Sequence, residues 1–295
     1  LFFGLEANAK SYDPNNISYS DLGKIKEKEL KTEHCYAALK EHITNYKEKK
    51  ILNNPQAGTG YLQKKKHPLE SLFISQAVIT YSEDLIDSLY GGVRDINDQS
   101  PMGMIDGYDT IIDNGITAGD IAEANGNYII TGAIAAPANN DDTAAVDKLV
   151  MFVRKANRFL RMKGILKMTL NVYNAAIDAL ENKMKYKNAD INALERYINE
   201  KCGSKIKIRI SDAMGTGDRI ILCIPGLWDF GMDTFSDSKF VDVRDPWEDP
   251  NLVQIWIQDM KGTRIRTFHE KVFCINDGTP AYHGLSGDYS PPPAP

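Results

Sequence analysis

Asp229-Phe230-Gly231 spells the tripeptide whose aspartate holds magnesium in protein kinases, where a His-Arg-Asp loop, a glycine-rich loop and a strand lysine accompany it. None of these companions is present, so the tripeptide alone carries no phosphoryl-transfer chemistry. Gly215-Thr216-Gly217-Asp218-Arg219 is glycine-rich but lacks the Gly-Lys-Ser/Thr that completes a phosphate-binding loop, and it reads as a hairpin turn. The five histidines, His34, His42, His67, His269 and His283, have no metal-ligand spacing, and His269-Glu270 lacks the second histidine of H-E-x-x-H. Asn139, Asn140, Asp141 and Asp142 are rich in oxygens without the alternation of a calcium loop, so helix capping accounts for them. Cys35, Cys202, Cys223 and Cys274 lie far apart with no C-x-x-C pair. That argues against a zinc ribbon or a disulfide framework and fits small apolar fillers in a reducing cytosol. There is no G-x-S-x-G and no serine placed as a nucleophile. The expectation is a chain with no catalytic residues, no cofactor-binding residues, no metal ligands and no enzymatic activity.

Arg154, Lys155, Arg158, Arg161 and Lys163 form a basic stripe opposite the apolar face of their predicted helix. A phosphate contact is one use for it. A solvated face, or one paired with acidic neighbours, is preferred because the surrounding region is acidic. The net charge of −5 is unevenly spread: residues 1–68 hold 12 Lys+Arg against 8 Asp+Glu, and residues 69–295 hold 23 against 32. A basic arm on an acidic body suits nucleic acid, or the acidic body of a neighbouring copy. With 295 residues, 42% apolar and 25% charged, the chain has the size of one large domain or two ordinary ones and the composition of a soluble globular protein. No apolar run approaches the ~20 residues that span a bilayer. Leu1-Phe2-Phe3-Gly4 lacks the basic start of a signal peptide, and the missing Met is expected of a processed chain or one whose beginning is absent.

The elements that must position these residues follow from periodicity. Residues 1–23 read as an irregular arm, with a turn at Asp13-Pro14-Asn15-Asn16. Residues 24–67 are lysine-rich and broken by Asn53-Asn54-Pro55-Gln56-Ala57-Gly58-Thr59-Gly60, which predicts an extended hairpin too poor in apolar residues to make a core. Pro68 opens a helix with Ile74, Val78, Tyr81, Leu85 and Leu89 on its buried face, stopped by Gly91-Gly92. Residues 92–140 read as turns and short strands, including Tyr108 to Ile112 and Tyr128 to Ile130. Three helices follow: Asp142 to Met162, one capped by Asn171, and one capped by Asp190 that ends at Gly203. The period then changes to two at Lys205 to Ile210 and Arg219 to Ile224. Leu252 to Gln258, Thr263 to Thr267 and Lys271 to Ile275 predict a closing antiparallel meander, before the Ser290-Pro291-Pro292-Pro293 tail.

Three passages carry a resemblance. The helix ending Tyr81-Ser82-Glu83-Asp84-Leu85-Ile86-Asp87-Ser88-Leu89-Tyr90-Gly91-Gly92 is followed by Ser100-Pro101-Met102-Gly103-Met104-Ile105-Asp106-Gly107-Tyr108. Lys205 to Asp233 contains Met214-Gly215-Thr216-Gly217-Asp218-Arg219 and Leu227-Trp228-Asp229-Phe230-Gly231. Leu252 to Ile275 contains Gly262-Thr263-Arg264-Ile265-Arg266. In order and character these resemble the major capsid proteins of tailed bacteriophages, the HK97-like fold family. The resemblance implies an α+β fold divided into an N-terminal arm (1–23), an extended E-loop hairpin (24–67), the spine helix of the P-domain (68–92), a region that is mainly A-domain (93–240), returning P-domain strands (241–285) and a C-terminal tail (286–295). It also implies a structural protein that self-assembles, as hexamers and pentamers, into the icosahedral shell of a virion. Such a shell encloses double-stranded DNA that it touches only non-specifically, and its subunits are made in the host bacterial cytoplasm. Portal, scaffold or decoration proteins are the further partners implied; a membrane is not. No residue is assigned to the crosslink that some relatives make. The alternatives are a nucleic-acid-binding protein using the basic arm and the Arg154 to Lys163 stripe, and a hydrolase or transferase with an inconspicuous site.

Overall fold

The computed structural model describes residues 2–7, 23–28, 30–31, 33–42, 69–98, 100–185, 189–214, 217–232, 240–244 and 252–276. Four strands make a mixed sheet: β4 (Ile165–Met168), β5 (Lys207–Ile210), β6 (Ile220–Cys223) and β10 (Phe273–Asn276), in the order β10-β6-β4-β5. Only β4 and β5 are parallel. Parallel neighbours need a crossover, and two helices supply it: α5 (Leu170–Met184) and α6 (Ile191–Cys202). Each helix start is fixed locally. Thr169 accepts from the Val172 N–H and Asp190 from the Ala193 N–H, satisfying donors that a first helical turn leaves free. Gly203 ends α6 with φ 58, a left-handed conformation that glycine takes without a Cβ clash.

One face of this sheet is covered completely. Helix α3 (Ala144–Lys155) and helix α4 (Arg158–Lys163) join α5 and α6 there. Val146, Leu149, Val153, Leu160, Val172, Leu180, Leu194 and Ile198 pack on Leu166, Met168, Ile208, Ile220 and Leu222. Each fully buried side chain of this kind contributes about 1.5–3 kcal/mol of hydrophobic stabilisation. The other face is covered over β6 and β10, where Ile221, Cys223, Phe273 and Ile275 meet Tyr108, Ile112, Ile121 and Phe268.

A second sheet is organised around β9 (Leu252–Ile265), which pairs with β3 (Glu33–His42) along one side. On its other side it pairs with β8 (Phe240–Arg244) and β7 (Trp228–Met232). Helix α1 (Leu69–Gly91) sets Ala77 and Tyr81 against Cys35, Ile105, Ile255 and Ile257. Where α1 ends, the chain turns into helix α2 (Tyr108–Thr117) through a loop that needs glycine. A Cβ on Gly107 would stand 2.2 Å from the Tyr90 carbonyl oxygen, and one on Gly92 would stand 2.4 Å from that of Ile105. Outside both sheets, β1 (Phe2–Ala7) pairs antiparallel with β2 (Gly23–Lys28).

Several expectations change. The arm contains a strand, β1, and residues 33–42 pair with the body through β9 instead of standing apart from it. The hairpin tip, Pro68 and the C-terminal tail lie outside the described residues. Tyr108 to Ile112 is helical, and Tyr128 makes only a single bridge to Ile275. The helix expected over Asp142 to Met162 is two helices, because Ala156 and Asn157 are extended and Asn157 recaps the chain by accepting from the Phe159 N–H. Thr169, not Asn171, caps α5. Strands β5 and β6 do not form a hairpin, since β4 lies between them. The closing meander is one long strand, β9, followed by β10 in the other sheet. The apolar stripe of α1 is shifted: Tyr81 is fully buried, but Ile74, Val78, Leu85 and Leu89 are only half-buried, and Ala77 and Ser88 complete the inner face.

Candidate functional site

The motif residues are occupied in holding the fold. The Asp229 carboxylate accepts from Arg264 Nε and Nη2 (3.1 and 2.5 Å) and from Arg266 Nε and Nη2 (2.9 and 2.7 Å). These arginines, Arg266 foremost, hold its carboxyl below the usual carboxylate range. Asp229 sits directly across from Arg264 in the β7–β9 register, so the tripeptide clamps two strands. Arg219 is buried between Asp109 (Nη1–Oδ1 3.3 Å) and Asp113 (Nη2–Oδ1 2.6 Å), tying the approach to β6 onto α2. The Gly217 carbonyl accepts from the Thr169 hydroxyl, while residues 215 and 216 lie outside the described ones.

Of the oxygen-rich run only Asp142 reaches the helix start, and the N-cap position itself is Thr143, which makes no side-chain cap bond. Asp142 Oδ1 accepts from the Ala144 N–H at the start of α3 and Oδ2 from the Ala138 N–H, and these bonds lower its carboxyl. His269 Nδ1 accepts from the Lys271 N–H, and Glu270 accepts from Asn157 Nδ2. No side-chain environment is described for His34 and His42, and His67 and His283 lie outside the described residues. Among the described residues no three His, Cys, Asp or Glu side chains gather as a metal site would require. All four cysteines are buried, and burial pushes the thiols of Cys202, Cys223 and Cys274 up, away from the thiolate that a nucleophile needs. A shallow groove along α6, lined by Glu195, Arg196, Asn199 and Ser204, contains no nucleophile–base pair, and its Asn199 is bonded to Ile206 and Ser204.

The five residues of the basic stripe are not on one helix. Arg154 and Lys155 end α3, while Arg158, Arg161 and Lys163 belong to α4. The Arg154 guanidinium donates to the Lys201 carbonyl and so serves the C-terminal end of α6. A different basic surface emerges from the sheet. On the face exposed at β5, Lys207 lies beside Ile165 and Arg209 beside Lys167, with Lys205 just before the strand. Lys167 lies over the Trp228 ring at 3.6 Å, and burial lowers its pKa. The signal was available in the alternation of residues 205–210, whose outward positions are all cationic, but strand order was needed to show that nothing covers them. At the end of α1 a second exposed feature appears. The turn Asp95-Ile96-Asn97-Asp98 is locked by the Asp98 N–H to the Asp95 carbonyl and by Asp95 Oδ1 to the Asn97 N–H, and it holds Ile96 81% exposed.

No family model matches the chain, and no curated protein matches its sequence. Solved structures match it along nearly its whole length. A chain of the satellite phage P4 procapsid that includes the size determination (Sid) protein is 13% identical with a TM-score of 0.52, over 93% of this chain and 89% of that one. The capsid of a native GTA particle gives 12% and 0.51 over 95% and 85%, and that of an empty GTA particle gives 14% and 0.52 over 95% and 84%. At such identities the likeness is one of architecture: the chain has the HK97-like α+β fold of these capsid proteins.

Proposed function

We propose that this chain is the major capsid protein of a tailed phage, a structural subunit whose work is to assemble with copies of itself into a closed virion shell. The observation that carries this reading is the match of one continuous fold, over 93% of the chain, to a phage procapsid protein. The residues agree with it. The charged motifs of the sequence are spent on internal clamps, and the two conspicuous exposed features, a basic sheet end and an apolar knob among aspartates, are surfaces for another macromolecule. A shell repeats one heterologous contact around a symmetric surface. Residues 1–23 serve as the N-terminal arm, 24–67 as the E-loop, 68–92 as the spine helix, 93–240 mainly as the A-domain, 241–285 as the returning P-domain strands and 286–295 as the tail. Hexamers and pentamers are the assembly units. Portal, scaffold and decoration proteins are the accessory partners, enclosed DNA is touched without sequence preference, the subunit is made in the host cytoplasm, and it catalyses nothing.

Electron microscopy and light scattering of the purified protein, across a series of protein and salt concentrations, test the proposal. Rings of five or six subunits, or closed particles, are expected. A strictly monomeric chain under every condition, including in the presence of a co-expressed scaffold, would overturn it.

A further inference from the structure

We infer that the acidic turn carrying Ile96 in one copy docks on the exposed basic β5 end of the β10-β6-β4-β5 sheet in the next copy. The inference rests on the shell reading above and names the two surfaces that would make one of its repeated contacts.

The basic surface is the exposed β5 end of a sheet face. Strand register places Lys207 and Arg209 on the same face as Ile165 and Lys167, and that face continues into the covered residues Ile221 and Cys223. Over β6 and β10 the chain supplies its own apolar lid, and Trp228 lies against Lys167 of β4, but at β5 Lys205, Lys207 and Arg209 are exposed. None of these three cations has an ion-pair partner among the described residues. The outer edge of β5 is not available for strand pairing, because Asn199 accepts from the Ile206 N–H and Glu195 from the Ile208 N–H. An occupant therefore meets the face, not the edge. Neighbouring cations at ordinary strand spacing repel one another, and an acidic partner relieves that repulsion.

The acidic surface is built to the opposite sign. Asp95, Asp98 and Asp106 surround the exit of α1, and none of the three forms an ion pair among the described residues. Their oxygens instead tie down the backbone at Asn97, Ser100 and Arg94. The turn is thus rigid before any partner arrives, which lowers the ordering cost of docking. At its tip Ile96 is 81% exposed, and the nearby Val93 is 53% exposed. Because both surfaces are empty within one copy, the complementary pairing is between copies. It is heterologous, joining different patches of the two partners, so its repetition by rotation gives a ring. A nucleic acid would answer the cations but would leave the apolar knob and its aspartates without a partner.

The test uses the full chain and three exposed positions, Ile96, Lys207 and Arg209. Ile96→Lys brings a cation against the basic face, and Lys207→Glu with Arg209→Glu makes that face acidic. Each change alone should leave the thermal melt of the free subunit unmoved and reduce assembly at least tenfold by light scattering. Normal assembly of Ile96→Lys, or of Lys207→Glu/Arg209→Glu with its retention of double-stranded DNA unchanged, overturns this inference and leaves the shell reading standing. Lys207→Glu/Arg209→Glu subunits that assemble fully but no longer retain added double-stranded DNA would assign the face to nucleic acid instead. Wild-type protein that never assembles overturns both readings.

Discussion

Replacing Arg219 by Met should cost far more than an ordinary lost ion pair. The guanidinium is 4% exposed and the side chain of its partner Asp109 is also 4% exposed, whereas Asp113, the second partner, is 44% exposed. When Arg219 is removed, Asp113 rehydrates, and its share of the loss is below about 1 kcal/mol. Asp109 cannot rehydrate. A buried carboxylate stripped of its cation costs about 3–5 kcal/mol, which for a chain of this size lowers the melting temperature by on the order of 10 °C. The double variant Arg219→Met/Asp109→Leu removes both buried charges and should recover most of the loss. What remains missing is the acidic residue in the first turn of α2, about 0.3–1 kcal/mol of helix-dipole interaction. Circular dichroism of the free subunits in urea measures all three proteins. A double variant as unstable as the single one would show that the site loses packing, not charge balance, and would refute the argument.

Gly107→Ala should destabilise the subunit by about 1–3 kcal/mol in the same urea titration, since the new methyl meets the Tyr90 carbonyl at 2.2 Å and backbone must move; the position has φ −74, so conformational strain is not the cause. Asp229 has a lowered folded-state pKa, so its contribution is present above the unfolded value near pH 4 and is lost as pH falls through the folded one. Wild-type stability should therefore drop more steeply below pH 4 than that of Asp229→Asn, as followed by thermal melts from pH 5 to pH 2. Asp190→Ala removes the acceptor for the Ala193 N–H and should cost about 1 kcal/mol, with the helical signal of the folded subunit retained in the far ultraviolet.

What the sequence disclosed and what it withheld separate along physical lines. Local signals were legible: Asp190 and Gly203 bracket α6 because a cap acts within three or four residues. The order of elements also led to the right fold class. Long-range arrangement was not legible. Lys205 to Ile210 and Arg219 to Ile224 read as a hairpin because nothing local says that β4, more than thirty residues earlier, inserts between them. Tyr108 to Ile112 reads as a strand because five residues cannot separate a period of two from one of 3.6, and its helix extends through polar Asp113 and Asn114 to Thr117. The break at Ala156 is likewise invisible to periodicity, since Leu160 stays in phase with Val153 while Asn157 starts a new helix. The two exposed surfaces were missed for another reason. A cationic strand face or an exposed isoleucine gains meaning only once the covering elements are known, and those come from distant parts of the chain.

The pairing of β3 with β9 sets a constraint in time. Glu33 lies opposite Lys261 and His42 opposite Leu252, so the second sheet joins two strands between which β4, β5, β6 and the helices α1 to α6 are made. Pairings of such sequence separation are slow, because a long loop must close before any contact rewards it. A nascent chain on the ribosome can complete the helical unit from Ala144 to Cys202 as it emerges, but the second sheet must wait for β9. The subunit therefore acquires its second sheet only after the helical unit has been made, and products truncated before β9 are excluded from any partnership that reads that sheet.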